Sequence, residues 1–143
     1  MSPETLTIDA LIDAPPAAAW RAYTDPAHIT GWNFASDDWH CPSASADLRP
    51  GGAYVARMEA RDGSFGFDLA ATYETVEPPT KVSMRLEDGR GVETTFAPEG
   101  DGTRVTTVFA PESQNPVEMQ RAGWQAILDS FARYVTAHAA ELA

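Results

Sequence analysis

Cysteine is almost absent. Cys41 stands alone, so no intrachain disulfide forms and no thiolate cluster can hold structural zinc. Histidine is nearly as scarce, and none of the three falls at the i, i+4 spacing of paired helical metal ligands. No bound metal and no cofactor are therefore expected. Positive charge is also thin: ten Lys and Arg stand against 21 Asp and Glu, a formal net charge of −11. That balance opposes a nucleic-acid backbone, which rewards clustered Lys and Arg, and it opposes anionic membrane surfaces. Apolar runs stay far short of the ~18 residues of a membrane span. The opening Met1-Ser2-Pro3-Glu4 has neither a basic nor an apolar leader region. The expectation is a soluble protein of the reducing cytoplasm, with no nucleic-acid or membrane partner. Internal repeats and low-complexity tracts are missing too.

What is present fits one packed domain spanning 1–143. Hydrophobic residues make up 43% and aromatics 10%, with four Trp, which is enough to build a core without staples. Residues 5–13 alternate, with Leu6, Ile8, Ala10 and Ile12 on one face, as in a strand with one buried side. Pro15-Pro16 ends that strand and opens a helix over 16–24 carrying Trp20 and Tyr23. Asp25-Pro26 caps a second short helix through about Trp32. Residues 33–42 have no clear period and read as a loop rich in aromatics.

From Asp47 the chain reads as strands and tight turns. Residues 53–61 place Tyr54, Ala56, Met58 and Ala60 on one face, and Asp62-Gly63 is a hairpin dipeptide. Residues 64–76 follow with Phe65, Phe67, Leu69, Ala71 and Tyr73 in phase. A two-residue turn sets Met58 opposite Phe67, Ala56 opposite Leu69, Tyr54 opposite Ala71, and Arg57 opposite Asp68 outside. Pro78-Pro79 breaks the strand. Residues 81–87, 92–97 and 103–109 continue an antiparallel meander, with Val82, Met84, Leu86, Val92, Thr94 and Phe96 in phase. Asn115-Pro116-Val117-Glu118 has the form of a capping box. It opens a helix to about residue 140, with Trp124, Ile127, Phe131, Tyr134, Val135 and His138 along one stripe. Such a stripe after a meander must bury itself against the sheet's inner face. The fold class is α+β: a curved antiparallel sheet with two short helices, wrapped around a long C-terminal helix.

This order resembles the helix-grip fold of the START-like, or SRPBCC, superfamily. Local sequence is similar to bacterial homologues of the activator of Hsp90 ATPase, also grouped with polyketide-cyclase-like proteins. The residues that carry the resemblance are Ile12-Asp13-Ala14-Pro15, Trp20, Thr24-Asp25-Pro26, Trp32, Asp47-Leu48-Arg49-Pro50-Gly51-Gly52, Gly102-Thr103, and Gly123-Trp124 with Leu128. The resemblance implies a hydrophobic or amphipathic ligand in a cavity under the C-terminal helix. It carries no catalytic residue across.

Pocket lining and core packing share a composition, so each candidate has two readings. Trp32, Phe34 and Trp39 either cap a cavity mouth or plug it. Tyr54, Met58, Phe67, Tyr73, Met84 and Phe96, on the inner sheet face, meet either ligand or helix. Trp124 sits beside Gly123, which leaves room either for a ligand or for close helix–sheet approach. His40 and Cys41 beside Asp37 and Asp38 invite a nucleophile or metal reading, but neighbours on an extended segment point apart. The plainer assignment is a loop His and a buried Cys. His28 and His138 read as surface or half-buried helix residues. Glu93 faces outward if the turn at 88–90 has three residues and inward if it has two; the outward choice keeps Val92 and Phe96 buried together. The expected function is binding of a small apolar or aromatic molecule. The alternatives are a cyclase, dehydratase or hydrolase in the same cavity, or a co-chaperone-like partner of an Hsp90-type protein. A partner-binding module should show an exposed apolar or charged stripe outside the sheet–helix interface, and the sequence displays none clearly. A homodimer is left open.

Overall fold

The computed structural model describes residues 5–142; the leader reading at residues 1–4 lies outside them. Strand β1 (Leu6–Ile12) is followed by helices α1 (Pro16–Thr24) and α2 (Pro26–Ile29). Six strands come next: β2 (Trp39–Ala46), β3 (Ala53–Ala60), β4 (Gly66–Glu77), β5 (Lys81–Leu86), β6 (Gly91–Glu99) and β7 (Gly102–Phe109). The long helix α3 (Val117–Ala137) and a last turn, α4 (Ala139–Leu142), complete the chain. All seven strands join one curled antiparallel sheet in the order β1-β7-β6-β5-β4-β3-β2. Each strand pairs with its sequence neighbour except β1, which closes on β7.

Alternation sets the register. Met58 pairs with Phe67, Ala56 with Leu69, Tyr54 with Ala71, and Arg57 with Asp68. Arg57 Nη1 reaches Asp68 Oδ1 at 3.4 Å on the outer face. Gly63 takes φ +77° in the connecting turn, where a side chain would be strained. Thr94 and Phe96 face the core from β6, and Thr103, Val105, Thr107 and Phe109 face it from β7. Leu128, Phe131 and Val135 bring the buried stripe of α3 onto this surface. The helix is also fastened to the sheet's first edge. Arg121 Nη1 donates to the Thr7 carbonyl at 3.1 Å and Gln125 Nε2 to the Asp9 carbonyl at 3.0 Å. These bonds cover carbonyls that an edge strand would otherwise leave open to another chain.

Four expectations are corrected. Residues 39–42 belong to a strand, β2, which also takes in 43–46; Pro42 and a register shift between His40 and Ser43 hide it in the sequence. The second helix stops at Ile29, so Trp32 stands in the turn after it. The capping box at Asn115 does not form, because Asn115 turns its amide back to Glu112 Oε1 at 2.9 Å. The long helix ends at Ala137, with His138 as its cap. Asp25, in contrast, does cap α2: its Oδ1 accepts from the Ala27 amide at 2.9 Å.

Candidate functional site

A cavity of about 90 Å³ lies where the curled sheet and α3 diverge. The sheet contributes Ile8, Tyr54, Leu69, Met84, Leu86, Val92 and Thr107. Helix α1 contributes Tyr23, the turn after α2 contributes Trp32 and Asn33, and α3 contributes Trp124, Ile127 and Leu128. None of these side chains is charged.

The walls are held by aromatic packing. Trp32 stacks on Tyr23 with centroids 5.3 Å apart and meets Phe131 edge-on at 4.9 Å. Its indole Nε1 donates to the Ala22 carbonyl at 2.8 Å, so its polar atom is satisfied away from the cavity. Trp124 stacks on Phe109 of β7 at 4.2 Å. Gly31 makes room for Tyr134: a Cβ there would meet the ring, so the turn carrying Trp32 and Asn33 seats directly on α3. His28 Nδ1 lies 2.7 Å from the Tyr134 hydroxyl and strengthens that seat.

Polar groups are few and organised. The Tyr23 hydroxyl lies 3.1 Å from Thr94 Oγ1, which lies 3.0 Å from Thr107 Oγ1. Asn33 Nδ2 donates to the Tyr54 hydroxyl at 3.2 Å. Burial pushes the Tyr23 phenol above its ordinary range. It pushes Tyr54 well above, with the neighbouring Tyr23 and Tyr73 adding to the effect. These hydroxyls stay protonated and neutral throughout the physiological range.

Of the residues singled out from the sequence, Trp32, Tyr54, Met84 and Trp124 line the cavity. Tyr73 and Phe96 are buried behind the wall: Tyr73 meets Tyr54 edge-on at 6.0 Å, and Phe96 meets Tyr23 at 5.6 Å. Phe34 is half-buried against the core, and Met58 is buried further along β3. Trp39 and Phe67 lie elsewhere. They meet at 6.2 Å near the β3–β4 turn, together with Phe65, in a group where Phe67 is 41% and Phe65 60% exposed. The expectation that Phe67 is buried with Ile127 and Phe131 is thus corrected, as is the absence of an exposed apolar group. These positions share the inner face, but α3 lies over the β1 side of the sheet and leaves the far end of the β3–β4 hairpin uncovered. Gly123 approaches nothing, since a Cβ there would find open space; close helix–sheet packing does not explain it.

The chemical candidates lie away from the cavity. His40 Nε2 is 3.6 Å from Glu59 on the outer side of β3. Burial pushes the Cys41 thiol up, the reverse of what a nucleophile needs. Glu93 faces outward and meets Lys81 at 3.3 Å. Among the described residues no three His, Cys, Asp or Glu side chains converge as metal ligands would, and no helix is long and apolar enough to cross a membrane.

Sequence reasoning passed over Tyr23, Asn33 and Thr107 as cavity residues. A signal existed for Thr94 and Thr107: both are polar residues at core-facing positions, which marks a buried hydrogen-bonded pair. Asn33 had none, because a loop asparagine looks the same whether it faces solvent or a cavity.

The family described as activator of Hsp90 ATPase homolog 1-like protein matches residues 13–136. The chain is similar to the AHSA1-like protein from Aeromonas hydrophila, solved in solution, at 44% identity and a TM-score of 0.89. That match covers 98% of this chain and 96% of the other. A Cytophaga hutchinsonii protein is 38% identical with a TM-score of 0.80, over 95% of this chain and 94% of its own. A Chromobacterium violaceum protein is 25% identical with a TM-score of 0.84, over 94% and 99%. No curated protein matches the chain.

Proposed function

Because the chain belongs to the family of activator of Hsp90 ATPase homolog 1-like proteins, with its helix-grip fold, we propose that it binds a small hydrophobic or aromatic molecule between the curled sheet and α3. The supporting observation is the cavity itself, which is walled by aromatic and aliphatic groups and free of charged side chains. A cavity of about 150 Å³ takes benzene. The 90 Å³ here suits a short chain or a single ring once a flexible side chain such as Met84 adjusts. Burial contributes about 25 cal/mol for each Å² of apolar area, less the cost of association. Binding is favoured over catalysis because the only titratable groups on the wall are tyrosines held neutral, with no carboxylate or imidazole to form an acid–base pair.

Mass spectrometry of gently purified protein under native conditions should show a co-purifying small molecule. Single-ring apolar compounds should quench tryptophan fluorescence and raise the melting temperature. Trp124→Ala should weaken binding, while Trp39→Ala should leave it unchanged. A broad panel that alters neither fluorescence nor melting temperature would overturn this reading. One observation favours a second reading, docking of a protein partner: the exposed Phe65 and Phe67, packed with the half-buried Trp39, make a larger apolar surface than scattered single residues would. Phe65→Ser with Phe67→Ser would abolish such docking and leave ring binding intact.

A further inference from the structure

The cavity wall is polar at two places, the Tyr23–Thr94–Thr107 hydroxyl chain and the Tyr54–Asn33 pair. Tyr54 is 5% exposed and Asn33 4%, and both stand on its wall. Their one mutual hydrogen bond, 3.2 Å long, does not use up what they carry. With Asn33 Nδ2 donating, the Tyr54 O–H has no acceptor among the described residues. With the amide turned the other way, Tyr54 donates to Asn33 Oδ1 and the amide's two N–H groups are left over. Either arrangement leaves a hydrogen-bond donor on a residue that is almost wholly buried. A buried donor without a partner is costly, so a ligand that supplies an acceptor gains over one that does not. A charged acceptor would have to give up its hydration with no cation to meet it, because no Lys, Arg or His lines the cavity.

Resting on the binding reading above, we propose that the ligand is a neutral molecule with a carbonyl-type acceptor, held by the Tyr54–Asn33 pair, with its apolar part against Trp32, Trp124 and Met84. The neighbouring hydroxyl chain from Tyr23 through Thr94 to Thr107 has three O–H groups for two hydrogen bonds and leaves one donor at an end, against two at the Tyr54–Asn33 pair, and Tyr54→Phe tells the two apart.

Three probes of similar size separate the cases: ethylbenzene (no acceptor), acetophenone (neutral ketone) and benzoate (charged). Titrations at pH 7 should show acetophenone binding about three- to tenfold more tightly than ethylbenzene and benzoate not binding measurably. The carbonyl stretch of bound acetophenone should fall below its value in hexane, and the Asn33 side-chain amide resonances should move. In Tyr54→Phe the ratio of acetophenone to ethylbenzene affinity should fall toward one. Asn33→Leu, made separately, should act in the same direction, so the outcome does not hang on one variant folding. Equal affinity for the two neutral probes, a carbonyl stretch like that in hexane, or binding of benzoate would each overturn the carbonyl assignment and leave the binding reading standing. Failure of all three probes to bind would overturn both.

Discussion

Two phenylalanines show how far alternation carries at the scale of the residue. Phe131 and Phe67 each fall on an apolar stripe, and sequence pattern alone treats them alike. Phe131 is fully buried, meeting Tyr23 edge-on at 5.4 Å and Trp32 at 4.9 Å. Phe67 sits past the end of the helix cover. Phe131→Ala should therefore cost about 3–5 kcal/mol in urea unfolding, and Phe67→Ala under about 1 kcal/mol. Comparable losses would mean that the hairpin tip is covered in solution. Which face a residue occupies was legible, since Tyr54, Leu69 and Phe67 are in phase. Where along the strand the cover stops was not, because that depends on the path of α3 and no residue of β4 encodes it. The same limit separates Trp32, which reaches the cavity, from Trp39, seven positions away.

The elements divide in a similar way. Strands β3 and β4 announce themselves by alternation about a Gly-containing turn, and their pairing follows from the requirement that both faces stay consistent. Strand β2 does not, because after Trp39 its sequence is polar and small, interrupted by Pro42 and a bulge, and as an edge it shows no alternation of buried and exposed positions. The start of α3 was misassigned for an electrostatic reason. The Glu112 carboxylate outcompetes the helix for Asn115: it accepts from the Gln114 and Asn115 amides at 2.8 Å each and from Asn115 Nδ2 at 2.9 Å. Gln120 reaches back from the first turns of α3 to the Glu112 and Asn115 carbonyls, binding this turn to the helix. These bonds, that to the Gln114 amide foremost, hold the Glu112 carboxyl below its ordinary value. A lowered folded pKa gives stability that is present above the unfolded value and is lost as pH falls through the folded one. Glu112→Gln should then destabilise the protein at neutral pH, with the difference from wild type fading in acid. Amide resonances of Gln114 and Asn115 that titrate at an ordinary glutamate value would show that the turn is not built this way.

For the molecule as a whole, the decisive property of the cavity is that it excludes charge, and its tyrosines report on that directly. The order of elements and the aromatic content made a cavity legible from sequence. The depth at which its tyrosines are buried was not, because that depends on how Tyr23 of α1, Tyr54 of β3 and Tyr73 of β4 converge from distant parts of the chain. Burial raises all three phenols above the ordinary 10.0. A raised folded pKa contributes stability that is fully present below the unfolded value and is lost as pH rises toward the folded one, because the unfolded chain can ionise its phenols and the folded chain cannot. Stability should consequently hold flat, as far as these groups are concerned, up to about pH 10 and fall beyond it. Absorbance at 295 nm, followed beside far-ultraviolet circular dichroism, should show these tyrosines ionising together with loss of structure. Adding a neutral ring compound should move that transition to higher pH, since a ligand that binds only the folded state stabilises it. Reversible ionisation of all four near pH 10 with the dichroism intact would mean that water and hydroxide already enter the cavity. An apolar ligand would then gain little by burial there, and the exposed aromatic group on β2 and the β3–β4 hairpin would become the stronger basis for function.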